Sequence, residues 1–300
     1  MSSTADEHAP AHDDSFPSSG QDLGRLPYSF AVVGVQKSGT TTIAGTLNRH
    51  VNVCRAPRKE EHFFNDETVD WSAPDYERDY TVRRKARSHT HVGDYTPIYL
   101  YWPHALERMR AYRPDIPLVA VFRDPLERLF SQWVMMRSRK ATRPDWPDFV
   151  QHFTEVPDEI PADVPLMRFK HESGVGRGLY GAQLERAFSV FGDRDQWLLL
   201  EFRQLLGEYD DTVDRLTDHV GLSRFRSKPP LENRYAGAEL VVGTAPTADE
   251  LARLAEHYRH DLAVFERLSG LDTTAWPTRL ILDGRLDPAE LAARFARRVG

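Results

Sequence analysis

Phe30-Ala31-Val32-Val33 runs directly into Gly34-Val35-Gln36-Lys37-Ser38-Gly39-Thr40-Thr41, after which Ile43 and Leu47 fall four apart. An apolar run, a glycine-bounded loop and a helical period, in that order, predict a strand, a tight loop and a helix. In that arrangement the loop N–H groups and the positive end of the helix dipole face an anion. The common nucleotide-hydrolase loop needs Lys directly after its last glycine. Thr40 holds that place here, and Lys37 lies inside the loop. The departure argues against ATP or GTP chemistry.

The rest of the chain continues the alternation. Ser29 to Val35 reads as a buried parallel strand and Thr40 to about Arg49 as the helix after it. Trp102 to Tyr112 is amphipathic and stopped by Pro114, and Leu118 to Phe122 is a second core strand. Asp124-Pro125 is a helix start: Asp caps free N–H groups, and Pro suits the first helical position. That helix runs to about Arg139. Leu179 to Phe191, Glu208 to Val220 and Ala248 to Leu268 read as helices, Trp197 to Phe202 as a third strand, and Asp287-Pro288 opens a last helix to Val299. Residues 66–90 are weakly patterned, and 140–175, rich in proline and glycine, reads as a long insertion shaping a cleft. The expected fold class is α/β: a P-loop-like central parallel β-sheet with helices on both faces. In such sheets ligands sit at the carboxyl ends of the strands. Three spans are expected: a disordered N-terminal segment 1–26, a main domain 27–278 and a C-terminal helical tail 279–300.

Composition narrows the partners. A net charge of −6 argues against a nucleic-acid binder, which should be basic. The single cysteine, Cys54, offers no internal disulfide, and no Cys/His cluster suggests zinc. The pairs His89/His91 and His257/His260 read as solvated surface histidines rather than ligands. The N-terminus lacks a basic start followed by an apolar core, and no apolar run approaches the roughly 18 residues that cross a membrane. A cytoplasmic protein without a membrane span is the expectation.

Three further segments follow the loop: Lys59-Glu60-Glu61-His62-Phe63-Phe64, Gly93-Asp94-Tyr95-Thr96-Pro97, and Arg123-Asp124-Pro125-Leu126-Glu127-Arg128-Leu129-Phe130-Ser131. In this order and spacing the four resemble the sulfotransferases that use 3′-phosphoadenosine 5′-phosphosulfate (PAPS), specifically the branch with the heparan sulfate sulfotransferases and their soluble bacterial relatives. The resemblance covers roughly Pro27 to Trp276. It implies PAPS as co-substrate, 3′-phosphoadenosine 5′-phosphate (PAP) as product, and no metal. It also implies roles. Lys37 would stabilise the leaving phosphate, with Gln36, Ser38, Gly39, Thr40 and Thr41 supplying donors around it. Arg123 and Ser131 would hold the 3′-phosphate. Glu60 would be the general base, with His62 orienting the acceptor or sharing the proton. Each has a plainer alternative: a glycine turn with a surface lysine, an arginine tied into a helix cap, a solvated charge run.

Some positions stay open. Glu61 rivals Glu60, but adjacent side chains of an extended segment point to opposite sides. Asp94 matches the family's acidic position in Glu-Lys-(Thr/Ser)-Pro or is a turn residue beside Gly93. The family's lysine is Tyr95 here, and the lost cation favours a less charged acceptor. Tyr180, in Arg177-Gly178-Leu179-Tyr180, contacts the nucleotide or is a core aromatic. Lys228, Asn233 and Arg234 are weaker candidates to close the nucleotide pocket. The expected acceptor is a hydroxyl or amine of a small molecule or glycan. The rival functions are a P-loop nucleotide kinase and a non-catalytic nucleotide-binding protein. The sequence carries no signal for oligomeric state.

Overall fold

The computed structural model describes residues 22–138, 149, 173–192, 194–232 and 240–300. Its centre is a four-stranded parallel sheet in the order β4-β2-β5-β6. β2 (Phe30–Gly34) and β5 (Leu118–Phe122) are buried at every residue. They pair through Ala31 with Leu118 and Val32 with Val119, then shift register before Gly34. β6 (Trp197–Glu201) extends the sheet beyond β5, and β4 (Gly93–Asp94) borders β2. An antiparallel ribbon of β1 (Arg25–Pro27) and β3 (Thr81–Arg83) stands apart. The expected α/β fold with a central parallel sheet is the observed one.

Strand alternation divides the core. Val32, Val119 and Val121 face one layer with Ile43, Leu47 and Leu216, whereas Ala31, Ala120 and Phe122 face the other with Tyr180, Leu184 and Phe265. Burying each of the valine, leucine, isoleucine and phenylalanine side chains among these contributes about 1.5–3 kcal/mol. Helix α1 (Thr40–Leu47) follows β2, α2 (Tyr76–Asp79) precedes β3, α3 (Ala105–Tyr112) precedes β5, and α4 (Pro125–Ser138) follows it. Helices Tyr180–Phe191 and Ala248–Ser269 cover the face opposite α1. The Trp102 turn precedes α3 rather than opening it. The segment expected as one helix from Glu208 is preceded by a separate helix, Phe202–Gly207.

The C-terminal residues are built into this core. Phe295 stacks on Phe130 of α4 with ring centroids 4.0 Å apart. The expected boundary at 278 falls inside helix Pro277–Leu282, and the Thr278 N–H donates to Asp124 Oδ2 at 2.7 Å. Residues 1–21, Asn233, Arg234 and nearly all of 140–175 lie outside the described residues. No described helix is long and apolar enough to cross a membrane.

Candidate functional site

The loop after β2 is shaped by two left-handed residues, Lys37 at φ 74 and Gly39 at φ 90. Such alternation folds successive N–H groups towards one concave side. Gly39 has a second reason to be glycine: a Cβ there would lie 2.8 Å from Leu205 Cδ2. Helix α1 begins at Thr40 without a side-chain cap, so its first N–H groups remain open to an anion. Ser38 is fully buried, and its Oγ has no hydrogen-bond partner among the described residues. A buried hydroxyl costs free energy unless something pairs with it. Loop, uncapped helix and orphaned hydroxyl thus fit a phosphate-bearing ligand.

β5, adjacent to β2, delivers Arg123 to the same end of the sheet. Arg123 Nη1 donates to the Lys37 carbonyl at 3.5 Å, and its guanidinium lies 5.0 Å over the Phe202 ring. Asp124 caps α4 by accepting from the Glu127 N–H at 2.9 Å. Burial first, then the charge of Glu127, raises the Asp124 carboxyl above its usual range. Glu127 and Ser131 share one face of α4 by their spacing of four, and Arg123 reaches back to Glu127 from the turn just before the helix. Glu127 pairs with Arg123 at 3.3 Å, Arg294 at 2.9 Å and Arg203 at 3.6 Å. Three guanidiniums surround one carboxylate, so the neighbourhood stays net positive.

Segment 59–64 forms the other side. Glu60 pairs with Lys59 Nζ at 2.9 Å and lies 3.4 Å from His62 Nε2. Burial pushes the Glu60 carboxyl up, but the His62 hydrogen bond and the Lys59 charge outweigh it and hold the group at about 2. His62 Nδ1 is 3.0 Å from Asn65 Oδ1. Glu61 turns the other way: its charge acts on Tyr28 and on the buried Asp94, and its Oε1 is buried with no hydrogen-bond partner among the described residues. Glu60 and His62 therefore lie together and Glu61 apart, although His62 at φ 60 is left-handed rather than extended.

Arg177 links the two sides. It is 4% exposed, and its Nη1 donates to Gln36 Oε1 at 2.7 Å while Nε donates to Ser173 Oγ at 3.0 Å. Burial, then repulsion from Arg128, lowers it to about 9, whereas the charge of Glu60 acts on it in the opposite sense. Sequence reasoning passed over Arg177 in favour of its neighbour Tyr180. The structure buries Tyr180 against Phe122, Phe265 and Trp276, and its hydroxyl donates to the Arg123 carbonyl at 2.9 Å. Tyr180 is therefore a core aromatic that braces the Arg123 strand end, not an open ligand contact. The available signal for Arg177 was a charge beside glycines in a segment already singled out.

Asp94 is not a turn residue. It pairs in β4 with Ala31 and is fully buried. Tyr95 packs edge-on against Phe30, its hydroxyl 3.4 Å from Asn48 Oδ1, so it supplies no substitute for a cation. Lys228 pairs with Asp214 at 2.9 Å and lines an open cleft of about 410 Å³ with Tyr209, Phe225 and Arg226. Pro230 of that cleft also borders Thr41 and Thr42 of α1. Among the described residues no group of three or more His, Cys, Asp or Glu is placed to hold a metal.

A phosphate-type loop after one parallel strand and an arginine at the end of the next form an α/β arrangement that would suit an anion. Comparison with known proteins narrows that class. The sulfotransferase domain family matches residues 27–229, more than half of the chain, which therefore belongs to the sulfotransferase family. Human heparan sulfate glucosamine 3-O-sulfotransferase 3B1 is 29% identical over 215 residues, covering 69% of this chain and 49% of the relative. A membrane-associated sulfotransferase, kil1, of Dictyostelium discoideum is 31% identical over 108 residues, covering 35% and 22%. The chain thus spans about a fifth to a half of the length of these relatives. A sulfotransferase crystal structure from Alicyclobacillus acidocaldarius shares the fold with a TM-score of 0.63 and 23% identity, covering 84% of this chain and 99% of that one.

Proposed function

We propose that the protein transfers a sulfuryl group from PAPS to a hydroxyl, or an amine, of a small-molecule or sugar-bearing acceptor. One observation carries the proposal: Arg177 touches the phosphate-type loop through Gln36 and is close enough to Glu60 to feel its charge. One buried arginine thus bridges the phosphate-type loop and the neighbourhood of Glu60, which supports a single site at the carboxyl end of the sheet, where such ligands bind. The heparan sulfate relatives act on glucosamine, which favours a sugar hydroxyl among the possible acceptors.

When bound, PAPS supplies the sulfuryl group and departs as PAP. The acceptor oxygen forms a bond to sulfur as the bond to the bridging oxygen breaks, and Glu60 takes the acceptor's proton. His62 orients the acceptor. Lys37 meets the negative charge that builds on the leaving phosphate, a charge largest in the transition state. Arg123 and Ser131 hold the 3′-phosphate, with Gln36, Ser38, Gly39, Thr40 and Thr41 around the 5′ side. Positioning and charge do most of the work in such a transfer, as in phosphoryl transfer.

Thermal-shift titration tests the donor. PAP without metal should raise the melting temperature by mass action, by about 2.7 kcal/mol of stabilisation at one hundred times its Kd. PAPS turnover against a panel of simple sugars, phenols and amines then finds an acceptor. A shift with magnesium ATP and none with PAP would sink the proposal.

A further inference from the structure

The segment bearing Glu60 and His62 has no regular secondary structure. Its Phe64 end is tied by the N–H donating to Tyr99 Oη at 3.4 Å and by the carbonyl accepting from Arg108 Nη1 at 2.9 Å, and its Glu61–His62 backbone is held by a single hydroxyl. Thr96 Oγ accepts from the Glu61 N–H at 3.0 Å and from the His62 N–H at 3.3 Å, and donates to Asp94 Oδ1 at 2.6 Å. One donor and two acceptors are all that a threonine hydroxyl has. Asp94 Oδ2 in turn accepts from Tyr80 Oη at 2.7 Å and Tyr99 Oη at 2.9 Å. Asp94 and Thr96 are both 0% exposed, so no water competes for these bonds. Asp94 is itself fixed to the sheet by its pairing with Ala31.

His62 sits at φ 60, in the left-handed region that a non-glycine residue enters at a cost. Such a conformation persists when its surroundings over-determine it. Two consecutive amides tied to one buried oxygen do this on the inner side. The Glu61 carboxylate lies near Tyr28 and Asp94, close enough to act on both, whereas Glu60 and His62 lie together, 3.4 Å apart.

We propose that Thr96, oriented by Asp94, is the positioning residue for the acid–base pair: it anchors segment 59–64 to the sheet in the register that turns Glu60 and His62 together towards the acceptor. The inference rests on the reading of Glu60 and His62 as that pair, and it extends it by naming what holds them. Thr96 would touch neither substrate nor nucleotide. Its role is to keep the base within the fraction of an ångström that proton transfer requires; a misplacement of about 1 Å costs on the order of 10²-fold in rate.

Thr96→Val keeps the shape and deletes the hydroxyl; Thr96→Ser keeps the hydroxyl. Hydrogen exchange of peptides spanning 59–64 needs no acceptor and reads the anchor directly. Exchange should speed up by about tenfold in the valine variant, as expected for loss of a buried hydrogen bond, and stay near wild type in the serine variant. With the best acceptor of the panel, Thr96→Val should lower kcat by about 10- to 100-fold. KM for PAPS and affinity for PAP should change by less than about twofold. Should Thr96→Val fold poorly, Asp94→Asn preserves volume and disturbs the orientation of Thr96 together with the hydrogen bonds from Tyr80 and Tyr99, and should move exchange at 59–64 in the same direction. Unchanged exchange at 59–64, or a kcat loss matched by an equal loss of PAP affinity, would overturn the proposal. Normal transfer by Glu60→Gln with fast exchange in Thr96→Val would instead overturn the acid–base assignment and leave the anchor as a purely structural tie.

Discussion

The loop from Gly34 to Thr41 is clamped by regular structure on both sides, whereas segment 59–64 has none of its own. β2 fixes where the loop starts, α1 fixes where it ends, and Gly39 at φ 90 holds a left-handed conformation that strains any side chain. Its chemistry comes from backbone N–H groups, a helix end and an arginine at the next strand end. Segment 59–64 takes its conformation from residues more than thirty positions away, Thr96 and Asp94. Its chemistry comes from side chains. The first kind of site is a property of the fold; the second depends on a few buried polar groups, and such networks lose function sharply when one member is missing.

The difference predicts unequal sensitivity, and its largest consequence falls on the second site. Glu60→Gln keeps volume and hydrogen bonding but removes the charge that accepts the proton. Transfer should fall by about 10²–10⁴-fold, with PAP affinity unchanged by calorimetry. Glu61→Gln should leave turnover nearly intact, because its side chain lies near Tyr28 and Asp94 rather than beside Glu60 and His62, and should relieve the repulsion that adds to burial in raising the Asp94 carboxyl. An inactive Glu61→Gln beside a normal Glu60→Gln would mean that the register of the segment has been misjudged.

What could be read from the residues alone follows the same division. The strand Leu118–Phe122, the loop between β2 and α1, and the Asp124-Pro125 helix start were legible, because each is set by local pattern: a continuous apolar run, glycines where the backbone needs them, a capping residue. The pairing of Glu60 with His62 was anticipated too, but not for the reason expected: His62 is left-handed at φ 60 rather than extended. The anchor beneath them was not. Asp94 beside Gly93 looks like a turn in sequence, and only its pairing with Ala31 makes it a buried acceptor for three hydroxyls. Arg177 was missed because a buried arginine leaves no mark of its burial in sequence. Tyr180 was overrated because a tyrosine near a motif reads the same whether its hydroxyl meets a ligand or, as here, the Arg123 carbonyl.

On the loop side the effects should be smaller and should separate binding from turnover. Arg123→Ala removes a charge-assisted contact worth about 1.5–3 kcal/mol, so PAP binding should weaken by roughly ten- to a hundredfold. Lys37→Ala should lower kcat more than it weakens PAP, since its charge matters most as the bridging oxygen becomes anionic. Isothermal titration with PAP beside steady-state kinetics distinguishes the two. Equal losses of affinity with no extra loss of kcat in Lys37→Ala would assign the lysine to binding and make the loop a cradle without a catalytic part.

The smallest expected effect concerns Lys59, which touches the base and not the loop. Burial raises the Glu60 carboxyl, and His62 and Lys59 together bring it down to about 2. A carboxylate held so low is a weak base, since efficient proton transfer wants a pKa nearer the working pH. Lys59→Met removes one of the two lowering partners, so the Glu60 pKa should rise. The acid limb of kcat/KM, which reports the free enzyme, should therefore move to higher pH. Wild type should hold its activity down to about pH 4.5, near the ordinary carboxylate range, whereas the variant should begin to fall before that point. At pH 7 Glu60 is ionised in both, and the stronger base should raise kcat by about a few-fold. Stability follows the same linkage. A carboxyl lowered in the folded state contributes stability that is present above its unfolded pKa and lost as pH falls towards 2. The Glu60 side chain is 35% exposed and that of Lys59 32%, so solvent screening limits the pair to about 0–1 kcal/mol. The melting temperature of Lys59→Met at pH 7 should accordingly drop only slightly, and the difference from wild type should shrink as pH falls below 4. An acid limb that stays in place in Lys59→Met would show that the group it reports is not Glu60, and the contrast between a side-chain site and a backbone site would then need a different base at its centre.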